Sequence, residues 1–160
     1  MKKLFYFSIF ALFFSIYGCE KDSDGDLNLS PDASEFLDLV NKLRASGCQC
    51  GSIQMPAVPA LTWNDTLYRA AQKHSDDMVE NNYFSHTGKD GSNSGIRIKR
   101  EGYKWSYYCE NIANGYSSNA NAFEGWKGSE GHCKNMMSAN VKEFGVGKRD
   151  SKFTMVLAKH

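Results

Sequence analysis

The sequence lacks a surplus of positive charge and has no basic stripe. Its 160 residues carry 19 Lys and Arg against 18 Asp and Glu, a formal net charge of +1. Proteins that bind nucleic acid usually cluster Lys and Arg on one face, because phosphate contacts supply most of their affinity. The charge pattern therefore argues against a nucleic-acid partner.

The chain also lacks an apolar run long enough to span a bilayer, which takes about 20 residues. Its longest run, Leu4 to Tyr17, has 14 residues and follows two lysines, as in a signal peptide. The run ends in Ile16-Tyr17-Gly18-Cys19, which resembles a bacterial lipobox with Tyr17 in place of the usual small residue. We predict export, cleavage before Cys19 and lipidation of Cys19, with an ordinary signal peptide as the alternative.

The sequence shows no internal repeat and no second domain. We predict a signal peptide over 1–18, an acidic tether over 19–31 and one folded domain over 32–160. The tether is too polar to fold and resembles the acidic export signal of bacterial surface lipoproteins, with a plain solvated linker as the alternative. The expected location is the outer membrane, through the lipid anchor, on a side that the sequence does not determine.

Setting Cys19 aside leaves four cysteines, Cys48, Cys50, Cys109 and Cys133. An even number in an exported chain predicts two disulfides. A zinc–thiolate site is the alternative, but the single residue between Cys48 and Cys50 is fewer than the usual two to four of structural zinc sites. The stretch from Cys48 to Pro59 is predicted to be a loop.

Helices alternate with a few short strands in the folded part. Apolar residues at helical spacing predict a first helix that begins near Asp32, with Asp32 and Glu35 as a capping box, and ends near Ser46. Asn64 is the expected N-cap of a second helix. Residues 141–159 alternate as the two strands of a hairpin. The expected fold is α+β, with helices packed on a small antiparallel sheet.

Several short motifs follow one another in a fixed order along the chain. They are Leu61-Thr62-Trp63-Asn64, Phe84-Ser85-His86, Glu110-Asn111-Ile112-Ala113, Trp126-x-x-Ser129-x-Gly131-His132 and Gly145-Val146-Gly147. Together they resemble the CAP superfamily of cysteine-rich secretory proteins, venom antigens and pathogenesis-related proteins, in its compact bacterial extracellular type. The resemblance implies a three-layer α-β-α sandwich with a cleft lined by two His and two Glu.

Three of the four cleft residues carry over directly, namely His86, Glu110 and His132. The fourth position holds Ser129, and Glu130 one residue later is a doubtful substitute. Tyr108 and Asn111, on either side of Glu110, are expected to contact a ligand together with Ser129 and Glu130.

Two imidazoles and one carboxylate are a plausible site for zinc or another divalent cation. The same groups could act in acid–base catalysis near neutral pH, or simply form a polar network that satisfies a buried carboxylate. No nucleophile and oxyanion hole are evident beside them. His74, on the apolar face of the second helix, is predicted to be a packed histidine and not a ligand.

The expected function is therefore a non-enzymatic binding module. The resemblance is consistent with a lipid, sterol, glycan or envelope protein as ligand. A secreted hydrolase (a peptidase or cell-wall enzyme) that uses the same cleft is one alternative, and a structural surface or adhesion protein is another.

The same cleft bears on the disulfides, because it would bring Cys109 and Cys133 together beside Glu110 and His132. That pairing leaves a strained bridge between Cys48 and Cys50. Pairs that join Cys48 or Cys50 to Cys109 or Cys133 are the alternative.

Overall fold

The computed structural model describes residues 29–160. The predicted signal peptide, the lipidation site Cys19 and most of the predicted tether lie outside these residues. Over the part that is described, no helix is both long enough and apolar enough to cross a membrane.

The described chain forms five helices and six strands. They are α1 (Pro31–Ser46), β1 (Cys48–Cys50), β2 (Ile53–Met55), β3 (Thr62–Trp63), α2 (Asp65–Glu80), α3 (Ser94–Arg100), β4 (Tyr107–Asn114), α4 (Asn119–Gly128), α5 (Glu130–Met136), β5 (Glu143–Arg149) and β6 (Lys152–Lys159). Strands β1 and β2 form a small antiparallel hairpin where a loop was predicted.

The main sheet has four strands in the order β3-β5-β6-β4. Strands β5 and β6 form the predicted antiparallel hairpin, and β4 pairs with β6 in the same sense. Strand β3 pairs with β5 in parallel, so the sheet is mixed and not purely antiparallel as predicted. A two-residue strand is too short to show any alternation, which is why the sequence pattern did not reveal it.

Helices cover both faces of this sheet. Along β6, Phe153, Met155 and Leu157 belong to the large core that packs against α1, α4 and α5. Val156 and Ala158, which alternate with them, belong to a second core with α2 and α3. Successive side chains of a strand point to opposite faces, and the result is the predicted three-layer α-β-α arrangement.

The start of helix α1 differs from the prediction. Ser30 is the N-cap, and its hydroxyl accepts a hydrogen bond from the backbone N–H of Ala33 at 3.2 Å. Pro31 takes the first helical position, which suits its missing N–H and fixed φ. The carboxylates of Asp32 and Glu35 instead accept hydrogen bonds from Asn119, each at 2.8 Å.

Helix α2 lies unusually close to the sheet. Its predicted N-cap is confirmed, since the Asn64 side chain accepts from the N–H groups of Thr66 and Leu67. A Cβ atom at Gly147 would collide with the backbone of Gln72, and one at Gly145 with the backbone of Tyr68. The glycines of the Gly145-Val146-Gly147 motif therefore create the space that α2 occupies.

Candidate functional site

The candidate site is built around β4, which lies at one end of the sheet order. Glu110 pairs with Val156 and so faces α2 and α3, whereas Asn111 pairs with Met155 and faces the opposite layer. The site residues that follow each other in sequence are therefore divided between the two faces of the sheet.

Glu110 is buried and bonded at both carboxylate oxygens. Its Oε1 lies 2.8 Å from Nδ1 of His86, and its Oε2 accepts from Arg97 at 2.5 Å. Burial alone raises the pKa of this carboxyl group, but the bond to His86 and the positive charge of Arg97 outweigh burial and lower the pKa below its ordinary value. Glu110 is therefore ionised at neutral pH.

Arg97 is a partner of Glu110 to which the sequence interpretation gave no role. Besides Glu110, its guanidinium donates to the carbonyl oxygens of His86 at 3.1 Å and Ser92 at 2.8 Å. It therefore fixes the loop before α3 against β4. The sequence could have indicated a partner for Glu110 only through a chemical argument, since a buried carboxylate needs a cation or several hydrogen-bond donors.

On the opposite face, two asparagines attach α5 to β4. Asn111 donates to the carbonyl oxygen of His132 at 3.0 Å, and its own Oδ1 accepts from Asn135 at 2.8 Å. Asn135 also donates to the carbonyl oxygen of Glu110 at 3.3 Å. Asn111, expected to contact a ligand, is fully buried and positions His132 instead.

His132 and Ser129 line an open cavity of about 280 Å³. Its other walls include Phe84, Ile112 and Tyr116. Burial lowers the pKa of His132 below the ordinary imidazole value, and the nearby charge of His86 lowers it further. His132 is therefore neutral at pH 7, with an apolar surface beside it.

The three predicted metal ligands do not form a compact ligand set. Among residues 29–160, only Cys48, Cys50 and Cys133 place three potential ligand atoms within 4.8 Å of one another. Both oxygens of Glu110 are already bonded within the protein. The arrangement of His86, Glu110 and His132 therefore does not fit a three-ligand zinc site.

The two remaining predicted ligand contacts lie elsewhere. Glu130 pairs with Lys134 on the surface and packs beside Gly51 of the β1–β2 hairpin. Tyr108 packs edge-to-face on Trp105, with ring centroids 4.5 Å apart. Neither side chain borders the cavity of His132.

His74 is buried in α2. Its Nε2 donates to the carbonyl oxygen of Ser85 at 2.9 Å, while its Nδ1 has no hydrogen-bond partner in the described part of the chain. Burial lowers its pKa, with a smaller contribution in the same direction from Arg97. The residue is therefore a packed, neutral histidine, as predicted.

The described cysteines form one disulfide, between Cys50 and Cys133, whose Cα atoms are 5.5 Å apart. This bond is one of the alternative pairs that join Cys48 or Cys50 to Cys109 or Cys133. The Cys109–Cys133 pair and the second disulfide are wrong, since Cys48 and Cys109 are free thiols. Burial raises the pKa of Cys109 to about 12. Cys133 instead faces the β1–β2 hairpin, which the sequence interpretation had treated as a loop.

This architecture, an α-β-α sandwich with a polar network around an edge strand, agrees with a comparison of the chain with known protein families and solved structures. The model of the cysteine-rich secretory protein family, named CAP, matches residues 37–156. The chain belongs to this family.

Two proteins of Bacillus subtilis (strain 168) are similar in sequence. The uncharacterized membrane protein YlbC is 34% identical over 71% of this chain and 30% of its own length. The uncharacterized protein YkwD is 32% identical over 61% of this chain and 38% of its own length. The chain thus matches only about a third of each relative.

Solved structures show the same fold. An extracellular protein containing a SCP domain from Bacillus anthracis str. Ames has a TM-score of 0.72 and 30% identity, over 82% of this chain and 44% of that one. An outer surface protein from Borrelia burgdorferi has a TM-score of 0.69 and 18% identity, over 81% of this chain and 92% of that one. At that identity the second likeness concerns the fold alone.

Proposed function

We propose that the protein is an exported cell-envelope lipoprotein whose CAP domain binds a small ligand and catalyses no reaction. The proposed binding surface is the cavity of Phe84, Ile112, Tyr116, Ser129 and His132. Glu110 lies two residues before Ile112 in β4 and holds His86.

The observation that carries the non-catalytic proposal is that both carboxylate oxygens of Glu110 are already paired within the protein. One oxygen bonds to His86 and the other to Arg97. Both partners stabilise the ionised form and lower the pKa of Glu110, and a carboxylate with a lowered pKa is a weak general base at neutral pH. Glu110 instead holds His86 in place, while 57% of the His86 side chain stays exposed.

The lining of the cavity suits an amphipathic ligand. Phe84 is 47% exposed although it is a large apolar residue, and it stands beside Ile112 and Tyr116. Ser129 and the neutral His132 supply hydrogen-bonding groups at the same place. Apolar walls with a few polar groups are the usual composition of small-ligand sites, so a lipid or sterol with one polar group is the favoured ligand class, ahead of a glycan.

The proposed location rests on the N-terminal sequence and on the relatives. A signal-like run followed by Cys19 supports export and lipid anchoring, and the similar Bacillus anthracis domain is described as extracellular. The test is membrane fractionation of cells that express the full chain, for which Cys19→Ala should release the protein from the membrane fraction.

Ligand binding is tested by titrating the purified protein with a fluorescent fatty acid and a fluorescent sterol. Phe84→Ala should weaken binding of the preferred probe by about tenfold, which corresponds to about 1.4 kcal/mol. Tyr107→Ala is the matched control, because Tyr107 is an exposed aromatic of β4, 38% accessible, that does not border the cavity.

Glu110→Gln separates binding from catalysis. A binding module should keep its affinity for the probe within about twofold, or about 0.4 kcal/mol, when Glu110 is replaced, because this side chain does not line the cavity. A hydrolase would lose turnover in this variant. Equal probe binding by wild type and Phe84→Ala would refute the proposed binding surface.

A further inference from the structure

A third sulfur lies directly beside the disulfide. The Sγ of Cys48 is 3.6 Å from the Sγ of Cys133 and 3.7 Å from the Sγ of Cys50. Cys48 and Cys50 belong to the same short strand β1, whereas Cys133 comes from α5. The three sulfurs, here called the sulfur cluster, are the one set of three ligand-type atoms within 4.8 Å in residues 29–160.

The members of the sulfur cluster differ in their access to solvent. Cys50 and Cys133 are completely buried, whereas Cys48 is only partly buried and keeps a free thiol. An external thiol can therefore reach Cys48 but not the disulfide itself. Thiol–disulfide exchange requires direct contact between the attacking sulfur and the sulfur attacked, and Cys48 is the residue that provides it.

We propose that Cys48 is an exchange site through which the buried disulfide reacts with external thiols. The Cys48 thiolate attacks Cys133, so that a Cys48–Cys133 bond forms while the Cys50–Cys133 bond breaks and Cys50 leaves as a thiolate. An external thiolate then attacks Cys48, and Cys133 leaves. The Cys50–Cys133 disulfide, the Cys48 thiol and one external thiol become one mixed disulfide at Cys48 and two thiols at Cys50 and Cys133, with no oxidant required.

The rate of this reaction depends on how much of the Cys48 thiol is ionised, which burial and one nearby charge determine. Burial raises the pKa of Cys48, and the positive charge of Lys127 offsets part of that effect. The thiolate is therefore a minor species at neutral pH, and exchange is slow compared with that of an activated catalytic cysteine. The ligand class is a low-molecular-weight thiol or an exposed cysteine of a partner protein.

The first experiment exposes the oxidised protein to reduced glutathione without oxygen and maps the products by mass spectrometry. Since no other disulfide is present in the mixture, an adduct forms only at the expense of the Cys50–Cys133 bond. We expect the adduct at Cys48 and new thiols at Cys50 and Cys133. Cys48→Ser should slow adduct formation by at least about tenfold, because the bond is then reached only by opening the fold.

Cys109→Ser is the matched control, because Cys109 is the other free thiol among residues 29–160 and lies outside the sulfur cluster. It should behave as wild type. No adduct in the wild-type protein, or equal adduct formation in wild type and Cys48→Ser, would overturn the proposal.

The second experiment removes one partner of the disulfide. Under oxidising conditions Cys50→Ser should form a Cys48–Cys133 bond, detected by peptide mapping without reductant. A folded Cys50→Ser protein in which Cys48 and Cys133 both stay reduced would contradict the proposal. If this variant does not fold, the glutathione experiment on the wild-type chain decides alone.

Discussion

The two faces of the main sheet are built from different side chains. The face covered by α1, α4 and α5 is filled by large apolar groups, among them Phe36, Trp126, Phe144 and Phe153. The face covered by α2 and α3 has a smaller apolar core and holds the buried polar groups His74, Ser75, Arg97 and Glu110.

The comparison teaches that most of the large apolar volume and the ion pair of Glu110 lie on opposite faces of one sheet, while buried Asn111 on the first face positions His132. On the first face, dispersion and the burial of apolar surface stabilise the fold, and the free energy of unfolding depends on how closely the side chains pack. On the second face, the Ser75 hydroxyl donates to the carbonyl oxygen of Gly147 and bonds to the hydroxyl of Thr154. The ion pair of Arg97 with Glu110 occupies space on this face that apolar side chains fill on the other. The second face positions groups at some cost in packing.

The largest expected effect breaks the apolar face. Phe144→Ala removes a fully buried ring that packs edge-to-face on Trp63, and should lower the free energy of unfolding by about 3–5 kcal/mol. Urea denaturation followed by tryptophan fluorescence measures it. Ile96→Ala, at a residue that is 42% exposed, should change the free energy of unfolding by no more than about 0.5 kcal/mol. A similar loss of stability in both variants would show that the apolar face is not the main source of stability.

A slightly smaller effect tests the polar face. Arg97→Met leaves the buried carboxylate of Glu110 without its cation and should cost about 3 kcal/mol. Adding Glu110→Gln should recover part of that loss, because no charge then stays unpaired. Arg100→Met, which removes an exposed pair with Asp90, should cost less than about 1 kcal/mol. If the losses of stability in Arg97→Met and Glu110→Gln simply add in the double variant, the two side chains are not energetically coupled.

The close approach of α2 gives an intermediate effect. Gly147→Ala places a methyl group against the backbone of Gln72 and should destabilise the protein by about 1–3 kcal/mol. Gly128→Ala is the control, since a Cβ there has no neighbour within 4 Å and helix propensity favours alanine by about 0.8–1 kcal/mol. A neutral Gly147→Ala would mean that α2 shifts freely.

The smallest effect is a pH dependence from the polar face. His74 has a lowered pKa when folded, chiefly through burial, so below its ordinary pKa of about 6.5 the unfolded chain binds the proton first. Its contribution is complete above about pH 6.5 and is lost as the pH falls toward the folded pKa. His74→Gln should reduce the slope of stability against pH by up to about 1.4 kcal/mol per unit.

Urea titrations at pH 7 and pH 5 measure this slope. An identical slope in His74→Gln and wild type would show that other groups dominate the response to acid.

Local patterns predicted the local structure well. The helix after Asn64 and the hairpin of β5 and β6 follow from capping and alternation, which depend only on near neighbours. Ser30 was missed as the cap because Asp32 and Glu35 offered an equally good local pattern, and the choice is settled by Asn119, far along the chain.

Contacts between distant segments could not be predicted in the same way. Family motifs identified His86, Glu110 and His132, but the alternation of β4 turns Glu110 and Asn111 to opposite faces of the sheet, and Asn111 bonds to the backbone of His132. The sequence offered Cys50–Cys133 only as one of several alternative pairs, because the choice depends on a hairpin of three-residue strands that has too few residues for a readable pattern.

The covalent link between Cys50 and Cys133 spans 83 positions of the chain, and His86, Glu110 and His132 all fall inside that span. A protease that cuts one peptide bond in any of the loops it encloses would therefore produce two pieces that stay tied together. Such a cut protein would migrate at full size on a gel without reductant and separate into fragments only after reduction, so intact mobility alone is no proof of an intact backbone.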